Sequence, residues 1–237
     1  MDIIIDEVPK RKRLTLREKN GDLNKLPSFY DRENISGKVI VNLGKSKSFE
    51  HIGIKIELIG LIEPTLDKKN ISRFIALTRD LEPPGALTTE INNLAFSFTN
   101  VEKQYESYRG NNMAVKYLLK VTILTKMRTL TWDQEFGVVN PQPISVLSES
   151  NDPIRLEVGI EDWLHLVFDV EKSKFSLKDI AIGSVTFKKV SIRLKSMEIK
   201  IIKRETISAG NVVDNDVITR FEIMDGAPIK SKINCKI

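Results

Sequence analysis

The 237-residue sequence contains one cysteine and two histidines, and only 7% of it is aromatic. A single cysteine excludes an internal disulfide framework, and one cysteine with two histidines falls short of a four-ligand zinc site. No run of about 18 apolar residues is available to span a bilayer as a helix. Ile3-Ile4-Ile5 is too short for a signal peptide and is bracketed by Asp2, Asp6 and Glu7. These absences point to a reducing, cytosolic setting. Charge of one sign is scarce as well: 37 Lys and Arg stand against 32 Asp and Glu, a net of +5. The densest basic run, Lys10-Arg11-Lys12-Arg13 with Arg17 nearby, reads as a solvated loop.

The groups that catalysis needs are missing too. There is no Gly-x-Gly-x-x-Gly, no Gly-x-Ser-x-Gly elbow and no calcium loop, and Gly44-Lys45-Ser46 lacks the preceding glycine of a phosphate loop. His51 and His165 have no serine marked as a partner for either. Cys235 has no nearby base to activate it and reads as a small apolar residue. Lysines and arginines such as Lys188, Lys189, Arg193, Lys195 and Lys200 lack the interleaved aromatics of a nucleic-acid platform. They read as the solvated face of a sheet, where lysines also discourage edge pairing. The expectation is a protein with no catalytic residues, no metal, no cofactor and no nucleic-acid partner.

What is present is a period of two. Val39, Val41 and Leu43 alternate with Lys38, Ile40 and Asn42, and Ile54, Ile56 and Leu58 with Lys55, Glu57 and Ile59. Leu94, Phe96 and Phe98 follow the same rule, and Val115, Tyr117, Leu119, Val121 and Ile123 form the longest run. Strands this numerous, parted by polar turns such as Arg109-Gly110-Asn111-Asn112, predict antiparallel sheets with one face buried. The 41% of hydrophobic residues can fill one large core or two small ones.

Comparison of the chain with itself divides it. Phe29, Gly37 and Val39 lie on Phe175, Gly183 and Val185 at a constant offset, and Ile54-Lys-Ile56 lies on Met197-Glu-Ile199 after a small gap. Phe96-Ser-Phe98 is laid on Phe221-Glu-Ile223. The reading is an all-β chain of two tandem antiparallel β-sandwiches, 1–152 and 153–237, joined near Ser148–Pro153. The second has no counterparts of the Val115–Ile123 and Trp132–Val139 strands and is expected to be incomplete, with an exposed apolar edge near Ile233 and Ile237.

Four segments are more specific than any sandwich requires: Val101-Glu-Lys-Gln-Tyr-Glu-Ser-Tyr108, Leu156-Glu-Val-Gly-Ile-Glu-Asp-Trp-Leu-His-Leu166, Lys172-Ser-Lys-Phe-Ser-Leu-Lys-Asp179 and Phe221-Glu-Ile-Met-Asp-Gly-Ala-Pro228. With Tyr30-Asp31 ahead of Ser36-Gly37-Lys38-Val39, the chain from about Phe29 onward closely resembles the arrestin-like small subunit of retromer, a vacuolar protein sorting family. That resemblance implies two arrestin-like (immunoglobulin-like) sandwiches in a non-catalytic subunit of a cargo-recognition complex, cytoplasmic and peripheral on endosome membranes. The complex returns cargo from endosomes to the Golgi and the plasma membrane. The implied partners are the α-solenoid retromer subunit, a sorting nexin and cargo-receptor tails, with the membrane reached indirectly.

The resemblance carries the solenoid contact onto Ile223, Met224, Asp225 and Gly226, and the sorting-nexin and cargo interface onto Val158, Gly159 and Ile160. In a period-two strand Ile223 and Met224 face opposite ways, which puts one of them outward. An arrestin-domain trafficking adaptor outside retromer is the alternative, although the chain lacks the Pro-Pro-x-Tyr tail of such proteins.

Overall fold

The computed structural model describes residues 1–6, 8–44, 48–64, 71–140, 151–176, 178–207, 211–225 and 231–236. It divides into two compact units, Met1–Asn140 and Pro141–Ile237. The first holds β1 (Asp2–Ile5), a single 3₁₀ turn (Val8–Lys10), β2 (Arg13–Arg17), β3 (Leu23–Phe29), β4 (Ile35–Asn42), β5 (Phe49–His51) and β6 (Gly53–Pro64). It continues through β7 (Ser72–Glu82), β8 (Gly85–Leu87), β9 (Ile91–Phe98), β10 (Tyr108–Arg109), β11 (Met113–Leu124) and β12 (Thr129–Val138). The second holds β13 (Ile154–Ile160), β14 (Leu164–Val170), β15 (Ile182–Val190), β16 (Ser196–Ile207), β17 (Asn211–Asp225) and β18 (Ser231–Lys236).

In the first unit β1-β4-β9 form one sheet and β2-β3-β12-β11-β6-β7 the other, with β10 on β11 and β5 paired to β8. The alternating residues do what their period predicts. Val39 and Val41 of β4 and Phe96 and Phe98 of β9 join Ile56 and Leu58 of β6, Tyr117 and Leu119 of β11 and Phe136 of β12 in one buried cluster. Ring edges lock it: Phe136 meets Phe29 edge-on with centroids 5.4 Å apart and lies 5.7 Å from Tyr117. A pleated strand that buries every second residue needs a second sheet to cover that face, and here it has one.

The basic run behaves differently from expectation. Arg11 is not solvated: its guanidinium stacks 4.0 Å from the centre of the Phe29 ring and pairs with Glu33 at 2.5 Å. Arginine stacks on an aromatic face while bonding a carboxylate, which composition alone does not reveal.

The second unit repeats part of this plan. Its sheet order is β13-β14-β15-β18, with β16 and β17 as a separate two-stranded ribbon. Strands β14-β15-β18 reproduce β1-β4-β9, and β16-β17 reproduce β6-β7. Pairing therefore matches β17 to β7 and β18 to β9, whereas the self-comparison laid the Phe96 strand on Phe221. A period of two looks alike in every strand, so only the hydrogen-bonded neighbour distinguishes them. Among the described residues β16 has no strand on its other side where β6 has β11. Ile233 of β18 pairs with Val185 through the backbone, and Ile237 lies outside the described residues.

The two glycines of the repeat have the same task. A Cβ on Gly37 would lie 2.2 Å from the Ile4 carbonyl oxygen of β1, and one on Gly183 would lie 2.8 Å from the Asp169 carbonyl of β14. In each unit the neighbouring strand runs too close for a side chain. Gly37→Ala is expected to cost about 1–3 kcal/mol in urea denaturation by forcing the pair apart. Gly53→Ala, whose Cβ meets nothing nearer than 3.8 Å, serves as the neutral control.

Candidate functional site

The strand carrying Ile223 and Met224 is not regular. Met197 pairs with Met224 and Glu198 with Glu222, so Ile223 is an extra residue facing no partner, a β-bulge. A bulge interrupts the alternation of faces and turns two successive side chains toward one side. Ile223 and Met224 are accordingly both half-buried, and both pack against the small core formed by Leu164, Leu166, Val185 and Phe187. The expectation that one of the pair points outward rested on a period that the bulge breaks. Outward-facing apolar surface on this ribbon comes from Phe221, Val217, Ile218, Ile201 and Ile202 instead. Asp225 pairs with Ser196 through the backbone, and Gly226 lies outside the described residues.

Val158, Gly159 and Ile160 lie on β13, the edge strand of the second sheet, opposite Leu166, His165 and Leu164. Residues directly opposite share a face, so Val158 and Ile160 continue the apolar face of Leu166 and Leu164. That face is uncovered at the edge: Val158 is 37% exposed and Ile160 52%, with Ile154 and Leu156 in the same row. On the other face His165 Nε2 lies 3.5 Å from the Glu157 carboxylate. Arg155 holds the Glu157 carboxyl below its usual range, with His165 adding to the effect. The two predicted sites therefore differ in kind: one is a bulge braced on a core, the other an open strand edge.

A third constellation joins two motifs of the first unit. Lys103 has no exposed surface. Its ammonium donates to the Glu33 carbonyl at 2.7 Å and to the Val101 carbonyl at 3.0 Å. Its own amide donates to Asp31 Oδ1 at 2.6 Å, and Asn140 Nδ2 donates to its carbonyl at 2.8 Å. The Tyr30-Asp31 and Val101–Tyr108 segments are thus one structure, tied to the end of β12. Arg32 and Asn100, both with positive φ, turn the two loops toward each other, and the Arg32 amide reaches the Val101 carbonyl. Nearby, the Tyr117 hydroxyl donates to the Tyr105 carbonyl at 2.6 Å, and burial pushes its pKa up to about 12. Nothing in the sequence marks Lys103 as buried, since lysine is seldom fully enclosed. Only the meeting of Asp31 and Glu33 with its loop reveals it.

Among the described residues no three His, Cys, Asp or Glu side chains gather where a metal could sit, and no helix is long and apolar enough to cross a membrane. Cys235 pairs with Gly183 through the backbone.

A chain built almost wholly of antiparallel strands, on a sheet plan used twice, has the all-β architecture of an arrestin-like protein. The family model described as vacuolar protein sorting-associated protein 26 matches residues 1–234. Vacuolar protein sorting-associated protein 26B of Danio rerio is 41% identical over 235 residues, covering 98% of this chain and 70% of that protein. The proteins of the same name from Mus musculus and Homo sapiens are each 42% identical, over 98% of this chain and 69% of theirs. The chain belongs to the vacuolar protein sorting-associated protein 26 family, the arrestin-like retromer family of protein sorting. It is a trafficking family and not a known enzyme family.

The buried lysine supplies a test. Burial lowers the Lys103 pKa from 10.5 to about 8, against the smaller opposing pull of Asp31 and Glu33. A folded pKa below the unfolded one means that unfolding takes up a proton between those values, so stability rises with pH across the window from about 8 to 10.5. The free-energy gap between wild type and Lys103→Met should widen in favour of wild type by up to about 3 kcal/mol over that window. Urea denaturation at pH 7, 8.5 and 10 measures it, and a gap that stays flat contradicts the assignment.

Proposed function

We propose that this chain is the non-catalytic, arrestin-like subunit of a retromer cargo-recognition complex, acting in endosome-to-Golgi and endosome-to-plasma-membrane transport. The observation that carries the reading is the family match over residues 1–234. Two domains, 1–152 and 153–237, divide the work. The second docks on the α-solenoid subunit through Ile223, Met224, Asp225 and Gly226. The bulge gives this contact a physical basis: it sets Ile223 and Met224, at the end of β17, against the small core. Met224 supplies an adaptable apolar contact.

Val158, Gly159 and Ile160 form the sorting-nexin and cargo interface. An edge strand offers unpaired backbone groups, and an extended cargo tail adds to it as a further strand while Val158 and Ile160 receive alternate side chains. The protein is cytoplasmic and reaches endosome membranes through these partners. The alternative of an arrestin-domain adaptor outside retromer has no specific observation in its favour.

A pull-down with the α-solenoid subunit tests the reading. Ile223→Asp with Met224→Asn should weaken capture at least about tenfold, the scale of a lost anchor. Both residues brace a core, so Asp225→Lys is measured beside them, with thermal melting of each variant as a folding check. Capture that is unchanged in both folded variants contradicts the site.

A further inference from the structure

One cleft of the first unit is used by nothing described above. The turn between β11 and β12, the β5 strand and the residues leading into β8 enclose a cavity of about 1020 Å³. That is at the upper end of the clefts that bury small ligands or single anchoring side chains. Three observations give it a chemistry.

Its walls carry apolar side chains beside the charged ones. Phe49, Ile52, Pro84 and Met127 line it, and Met127 is 96% exposed at the tip of the turn. The turn itself is held firmly: the Thr125 amide donates to the Arg128 carbonyl at 3.0 Å, and the Arg128 amide donates to Thr125 Oγ1 at 3.1 Å. The turn therefore displays Met127 at its tip.

The second observation is charge. Lys126 and Arg128 flank Met127 on the cavity wall. Lys126 is engaged by Glu50 at 3.3 Å, while the Arg128 guanidinium has no ion-pair partner among the described residues. The third is His51, which belongs to the same wall, is only 6% exposed, and keeps a buried Nδ1 with no hydrogen-bond partner among the described residues. An unpaired buried nitrogen is costly and rare in a settled interior.

We propose that this cleft binds a short linear segment of a partner protein, one that seats a bulky apolar side chain between Ile52, Pro84 and Met127 and sets an adjacent acidic residue against Arg128. A bilayer would meet the same cations and the same methionine. It would not fill a concave cavity, however. The proposal is independent of the docking of β17, and variants here leave solenoid capture unchanged.

The probe is a fluorescein-labelled peptide, Gly-Ser-Asp-Leu-Phe-Asp-Gly-Ser, titrated into the full chain carrying methyl-labelled methionine. The Met127 methyl resonance, assigned by Met127→Leu, should shift saturably below about 1 mM. Arg128→Glu, a change at an exposed position, should weaken binding about tenfold, as should lysine in place of both peptide aspartates. Alanine in place of the Leu-Phe pair should abolish the shift, and His51→Phe should weaken binding by a smaller factor with the fold intact. Three results overturn the proposal: no saturable shift, equal binding of the lysine peptide, or a Met127 shift produced by phosphatidylserine-containing vesicles and not by the peptide.

Discussion

The apolar face of a β-sheet has to be covered, and the two units meet that constraint to different degrees. In the first, β4 and β9 bury their alternating residues against β6, β11 and β12, so Val39, Phe98, Ile56, Tyr117, Leu119 and Phe136 keep no exposed surface. At about 25 cal/mol per Å² of apolar area, a cluster of that kind dominates the stability of the domain that holds it. In the second, four residues make the buried cluster, and half-buried neighbours such as Phe168, Met197, Ile223 and Met224 lean on it. The inward row of β13 and the exposed apolar residues of β16 and β17 remain at the surface. Apolar strand surface of this extent is characteristic of places where proteins meet. Val158 and Ile160 of the proposed cargo interface belong to that surface, and Ile223 and Met224 lie on the same ribbon as its Phe221, Val217 and Ile218.

The same constraint explains how the family's motifs work. Tyr30-Asp31 and Val101–Tyr108 are far apart in sequence yet form one loop assembly around the enclosed Lys103, whose ammonium and backbone satisfy four different groups. A buried cation is tolerated only when its hydrogen bonds are met in this way. At the end of β17 a bulge sets Ile223 and Met224 together against the small core of the second unit.

Much of the fold was legible because a period of two forces alternate residues to one face. The buried positions of β4 and β9 are those the alternation predicts, β6 departs from it by burying Ile59 as well as Leu58, and the repeat around Gly37 and Gly183 marks the same close approach of strands in both units. Pairing was less legible. Phe96 and Phe221 carry similar patterns, but β9 pairs with β4 while β17 pairs with β16. The bulge at Ile223 was invisible because it depends on the register of the partner strand. Arg11 and Lys103 were missed for a common reason. Each charge is stabilised by neighbours distant in sequence, Glu33 and Phe29 for Arg11 and the Val101 and Glu33 carbonyls for Lys103.

Hydrogen–deuterium exchange on the chain alone and with the retromer α-solenoid subunit tests the central claim, that the second unit supplies the docking surface. Backbone protection reports local opening strand by strand. The account predicts that amides at the end of β17, around Phe221–Asp225, gain protection in the complex while those of β4, β6 and β11 keep the protection they already have. Protection gained only in the first unit, or an unchanged β17 within a formed complex, would contradict it.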